Sequence, residues 1–99
     1  MELFLGVDVG TKAIKATVLK EDGTIVESSN VPIYHLVERL EASWAQRSAT
    51  QIWEHVKKAL SLLHRHSEIQ ALCVDGTSGT IVPIGSEGDP LYDFLMYSD

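Results

Sequence analysis

Ninety-nine residues, 44% apolar and 22% charged, with a formal net charge of −6, describe at most one small globular domain. The acidic balance argues against nucleic acid or an anionic membrane as partner, since both need a basic surface. A single cysteine, Cys73, excludes an internal disulfide and a cysteine-based zinc site.

Met1 to Asp8 reads as a first, buried strand, an apolar run ending at glycines. Ala13 to Lys20 reads as a second, with Ile14, Ala16 and Val18 on one face and Lys15, Thr17 and Leu19 on the other. Asp22-Gly23 marks a hairpin turn into a third strand, Ile25 to Ile33. Pro32 cannot donate to a ladder, so the far end of that strand should be an edge or an exit. Tyr34 to Arg47 spaces Leu36, Leu40 and Trp44 by four, as a helix face would, yet nothing caps it after Pro32. The expectation there is an extended or irregular crossing.

Ser48 to about Arg65 is the clearest helix. Ser48 and Gln51 form a capping box, and Ile52, Val56, Ala59, Leu60 and Leu63 make an apolar stripe widened by Trp53. His64, Arg65 and His66 would then suit the negative end of the helix dipole. His64 and His66 are two apart and diverge on a helix, so they do not read as a metal site. Ile69 to Val74 predicts another buried strand, with Cys73 a buried structural thiol, followed by a polar turn from Asp75 to Thr80 in which Asp75 caps the backbone. Ile81 to Ile84 and Leu91 to Tyr97 predict two more strands about the polar turn Gly85 to Pro90. Glu2 and Gly6 spoil the basic and apolar regions of a signal peptide, and no apolar run approaches the ~20 residues of a membrane span. The expected setting is cytoplasmic, without a membrane.

The stretch Gly6 to Lys15 carries the chemistry. Gly10 lacks a Cβ, so a ligand can approach the turn closely. Consecutive N–H groups in a turn make a concave anion site, and an acid such as Asp8 beside one suits a hydrated Mg²⁺. Strand, acid, hydroxyl (Thr11) and base together suggest a phosphate with its metal; the same residues also fit an ordinary hairpin. Neither the Walker A nor the Gly-x-Gly-x-x-Gly pattern is present. A strand–helix–strand connection usually places its strands parallel in one sheet, and ligands gather beyond the carboxyl ends of such strands. The turns Asp8 to Lys12 and Asp75 to Thr80 are therefore expected to flank one cleft.

Five features in order resemble the N-terminal part of the FGGY carbohydrate kinases, the family of xylulokinase, glycerol kinase and ribulokinase. They are Leu5-Gly6-Val7-Asp8-Val9-Gly10-Thr11 followed by Lys15; Asp22-Gly23; Ser43-Trp44-Ala45-Gln46 with the helix containing Trp53; Val74-Asp75-Gly76-Thr77-Ser78-Gly79-Thr80; and Leu95-Met96-Tyr97-Ser98-Asp99. The first is shared by all actin-like ATPases. The resemblance implies an α/β, ribonuclease H-like (actin-like ATPase) fold with a mixed sheet. Residues 1–99 would form its β-β-β-α-β opening portion, within a partial N-terminal domain, and the second domain would lie outside this chain.

The same resemblance implies ATP and Mg²⁺ as cofactors and a sugar as acceptor, a ketopentose being favoured by Asp75-x-Thr77-Ser78. It implies Asp8 near Mg²⁺ and the phosphates, with Gly10, Thr11, Lys12 and Lys15 on the phosphate side. Thr77, Ser78 and Gly79 would line the sugar site. Lys12 stands where the family commonly has a small hydroxyl residue, and it either adds charge or points to solvent. Asp99 is either a strand-end cap or a sugar contact. The general base is expected outside this chain, leaving the isolated 99 residues inactive. A homodimer is left open. The alternatives are another actin-like ATPase, such as an activator of radical dehydratases, and a non-catalytic nucleotide-binding or filament-forming protein.

Overall fold

The computed structural model describes residues 2–33, 46–77, 82, 84–91 and 94–95. Strand β1, Leu3–Val9, is the centre of a mixed four-stranded sheet. It pairs antiparallel with β2, Ala13–Lys20, which pairs antiparallel with β3, Ile25–Pro32. On its other side β1 runs parallel to β5, Ile69–Gly76, giving the order β3-β2-β1-β5. The predicted Asp22-Gly23 hairpin joins β2 to β3. Gly23 takes φ +89°, the left-handed region that favours glycine, and its N–H donates to the Lys20 carbonyl at 2.9 Å. β3 ends at Pro32 and lies at the sheet edge, as a residue without an N–H requires.

Gln46–Arg47 is a short strand, β4, which pairs antiparallel with β6, Phe94–Leu95. These are the described parts of the expected crossing and of the expected last strand; residues 34–45 and 96–99 lie outside the description. Of the strand expected over 81–84, Ile84 bridges Pro90 about the predicted turn, where Gly85 N–H donates to Asp89 O at 2.8 Å.

Helix α1, Ala49–Ser61, begins where the cap signal places it, with Gln51 N–H donating to Ser48 Oγ at 3.3 Å. Ile52 and Ala59 are buried against one face of the sheet with Leu3, Leu5, Val7, Ile14, Ala16, Val18 and Val31, and Val56 and Leu60 pack against this core. Ser29 on β3 donates its hydroxyl to Ala59 O at 2.7 Å, fixing the helix over β2 and β3.

The helix stops at Ser61, four residues short of the expected Arg65. A partner from β3 explains this. The Glu27 carboxylate accepts from the His64 and Arg65 N–H groups at 2.9 to 3.0 Å, so those amides do not continue the helical ladder. His64, Arg65 and His66 therefore lie beyond the helix, and among basic residues Lys58 occupies its last turn. A short 3-10 turn, His66–Glu68, leads into β5.

A second correction concerns β5. Its apolar run predicts burial, yet Leu72 and Val74 are 62% and 56% exposed, and the Cys73 thiol is exposed rather than buried. The helix covers β2 and β3 and leaves β5 open among the described residues. Leu72, Val74 and Trp53, itself 57% exposed, border an apolar groove of about 410 Å³ between helix and sheet.

Candidate functional site

The face of the sheet away from the helix carries the polar residues. Apolar side chains alternate toward the helix along β1 and β2, so Asp8 and Lys15 point the other way and both are exposed. The register then lines up one row across all four strands: Asn30 on β3 opposite Lys15 on β2, Lys15 opposite Asp8 on β1, and Asp8 opposite Asp75 on β5. The next row is Ser28, Thr17, Gly6 and Cys73.

Asp75 thus belongs to β5 rather than to the turn beyond it, a third correction. Its carboxyl faces Asp8, and the turn it was expected to cap lies largely outside the described residues. A hydrogen bond with the Asp8 side chain, followed by the charge of that carboxylate, raises the Asp75 pKa above its ordinary value. The sequence holds a clue to this. Asp8 and Asp75 each precede a glycine and a threonine near the end of an apolar strand. Two such strands running parallel in register put their acids at one height.

The β1–β2 turn is tight. Gly10 N–H donates to Ala13 O at 3.0 Å, and a Cβ on Gly10 would sit 3.1 Å from that oxygen and 3.6 Å from Asp8 Oδ1. Ile33 N–H donates to Lys12 O at 2.9 Å, holding the turn from the β3 side, while the Lys12 side chain is exposed. Thr11 Oγ1 lies 3.0 Å from Thr77 Oγ1, so the turn after β1 meets the first residue beyond β5. Asp8, Gly10, Thr11, Lys12, Lys15 and Thr77 therefore gather at one end of the sheet, and Ser78 and Gly79 lie outside the described residues.

Among the described residues no group of three or more metal-ligating side chains occurs. Two facing carboxylates remain, a hard oxygen set. That set fits Mg²⁺, which keeps several waters and takes one or two carboxylates rather than a full protein cage. A cation between them would also offset the Asp8 charge, which adds to the effect of the Asp8 hydrogen bond in raising Asp75.

The sequence model of the FGGY family of carbohydrate kinases, N-terminal domain, matches residues 3–99. The chain belongs to that family. Among curated FGGY relatives, a glycerol kinase from Aquifex aeolicus is 25% identical over 103 residues, covering 100% of this chain and 20% of its own length. A xylulose kinase from Escherichia coli is 26% identical over 100 residues, covering 98% of this chain and 20% of its own length. Among solved structures, a xylulose kinase from Brucella ovis superposes with a TM-score of 0.89 at 21% identity, over 99% of this chain and 21% of that one. The fold is thus the actin-like ATPase fold expected of an FGGY chain, with its mixed sheet and β-β-β-α-β order. The chain spans about one fifth of the length of the curated relatives it matches.

Proposed function

We propose that these residues form one wall of the phosphoryl-transfer site of a carbohydrate kinase that uses ATP and Mg²⁺ to phosphorylate a sugar hydroxyl. The observation that carries this reading is the pairing of Asp8 with Asp75 at the carboxyl ends of parallel β1 and β5, with a threonine three residues after the first acid and two after the second. Ligands in such sheets sit beyond the carboxyl ends of the strands. Phosphoryl transfer asks for positioning and charge stabilisation more than for covalent chemistry, and this end of the sheet is equipped for both.

Asp8, with Asp75 facing it, would hold Mg²⁺ through its waters. The ion supplies charge neutralisation to the phosphates when bound. Gly10 and Thr11 shape the turn that approaches the phosphates, and the exposed ammonium groups of Lys12 and Lys15 add positive charge beside it. The segment that Thr77 opens, with Ser78 and Gly79, forms the acceptor side, where small hydroxyls such as that of Ser78 can both donate to and accept from a polyol. A ketopentose such as ribulose or xylulose is the proposed acceptor, supported by Asp75-x-Thr77-Ser78 and by the xylulose kinases among the relatives. No described residue is assigned as the base that takes the acceptor proton, and the 99 residues alone are expected to be inactive. A cytoplasmic setting accords with this chemistry. Among the described residues no helix is long and apolar enough to cross a membrane.

The test is to assay the full-length protein with ATP and Mg²⁺ against ribulose, xylulose, ribitol and glycerol. ATP-dependent phosphorylation of a pentulose is expected, and Asp8→Ala should abolish it with the fold intact by circular dichroism. No phosphorylation of any sugar or polyol would remove the kinase reading. Full activity in Asp8→Ala would remove the metal assignment.

A further inference from the structure

We propose that Thr11 and Thr77 form a clamp that locks the β1–β2 turn to the end of β5, which makes Thr77 a positioning residue rather than a sugar contact. The inference rests on the kinase reading for its consequence on turnover, but not for the clamp itself.

The parallel ladder between β1 and β5 ends at the pair Val9 and Gly76. One and two residues further on, Thr77 Oγ1 and Thr11 Oγ1 meet at 3.0 Å, partly buried, across 66 residues of sequence. Each hydroxyl can donate or accept, so the pair can form in either direction. The backbones around it are close. A Cβ on Gly76 would lie 3.6 Å from Val9 O, and one on Gly10 would lie 3.1 Å from Ala13 O. The contacts that hold the β1–β2 turn include its own Gly10-to-Ala13 bond, Ile33 N–H on Lys12 O, and Thr77.

The consequence is geometric. The turn proposed to meet the phosphates and Thr77, the residue at the end of β5, move as one body when the hydroxyls are joined. Phosphoryl transfer needs donor and acceptor atoms in near-attack alignment, and small displacements are costly in rate while leaving each ligand's own contacts in place. Loss of the clamp should therefore lower kcat and spare both KM values. A sugar-contacting Thr77 would instead show its loss in the sugar KM.

The full-length protein tests this with Thr77→Val, Thr11→Val, the double variant and Thr77→Ser. Without ligands, amide hydrogen exchange at residues 10–12 should speed up roughly fivefold in either valine variant, the loss of about one net hydrogen bond. In turnover, each valine variant should lose roughly tenfold in kcat, the scale of a misplaced rather than a missing group. The double variant should lose no more than the worse single, and Thr77→Ser should recover most of the loss. Unchanged exchange in Thr77→Val overturns the clamp. So does a raised sugar KM at intact kcat, or losses that multiply in the double variant. If Thr77→Val does not fold, Thr77→Ala and Thr77→Ser replace it; serine exceeding alanine in protection and turnover supports the clamp, and equality overturns it. Faster exchange in variants of a protein that phosphorylates no sugar leaves the clamp standing and removes the kinase reading.

Discussion

Gly6 offers a test in which stability and activity should move in opposite directions. It lies in the middle of β1, hydrogen-bonded between β2 and β5, opposite Thr17 and Cys73. Glycine inside a strand weakens it, and it often marks a bulge or a place where a ligand or another backbone comes near. Gly6 has no bulge: the β1–β5 register shifts only between Leu3 and Phe4. Its φ is not positive, and a Cβ built on it meets nothing within 4 Å. Among the described residues no neighbour therefore requires a glycine here. Gly6→Ala should stabilise the 99-residue chain by about 0.5–1 kcal/mol, chiefly by reducing the freedom of the unfolded state. For a domain of this size that is a rise in Tm of roughly 2–8 °C.

The new methyl would stand on the open face of the sheet, two residues along β1 from Asp8. If a substrate or another part of the kinase approaches that face, kcat/KM of the full-length enzyme should fall in Gly6→Ala and further in Gly6→Val. Urea or thermal melts of the chain and steady-state kinetics of the whole enzyme read the two effects separately. A destabilised Gly6→Ala chain would refute the packing argument. A stabilised chain with undiminished activity would refute the idea that anything approaches Gly6.

Glu27→Ala removes the acceptor of the His64 and Arg65 amides, and should cost about 1–2 kcal/mol in urea unfolding, since hydrogen bonds to a charged acceptor exceed neutral ones while exposed amides regain water. Glu27→Gln, keeping an acceptor oxygen, should cost less, and equal stability in Glu27→Ala would mean that the segment after the helix holds itself. Asp75 gives a pH signature. Its folded pKa is raised above 3.8, so the folded state holds that proton more tightly than the unfolded state does. Stability should therefore fall as pH rises from about 3.8 through the raised value. Asp75→Asn should flatten that fall in melts recorded from acid to neutral pH, and Mg²⁺ should stabilise it less than the parent; an unaltered profile would mean that the two carboxyls do not interact.

Local signals in the sequence are kept faithfully by the structure. Asp22-Gly23 makes its hairpin, Ser48 caps its helix, and the alternation along Ala13 to Lys20 sorts core from open face. What local patterns misread has its cause far away in the chain. The helix end is set by Glu27 on β3, which no helix-stop rule contains. The run Ala71-Leu72-Cys73-Val74 has the composition of a strand buried on both faces, but burial needs a covering layer, and composition does not supply one. Asp75 looked like a turn residue because the glycine after it is a turn signal; its partner, Asp8, becomes visible only once the parallel register is known. That Asp8, Thr11, Lys15 and Thr77 share one end of the sheet was legible from two strands expected to run parallel, each ending in polar residues. The hydroxyl pair that joins those strand ends was not.

The topology also sets an expected order of folding events. β1, β2 and β3 form a meander of neighbouring hairpins, closed by short loops and quick to assemble. β5 reaches β1 only after a long crossover, beginning with Leu3 opposite Ile69, and such non-local pairing is slow because the loop must close before any contact repays it. Asp8 is made before Asp75 and lies on a hairpin of local contacts. The two acids become neighbours only in the closing step. Metal affinity at this pair would then report completion of the sheet, and a half-folded chain would carry a finished turn but no site.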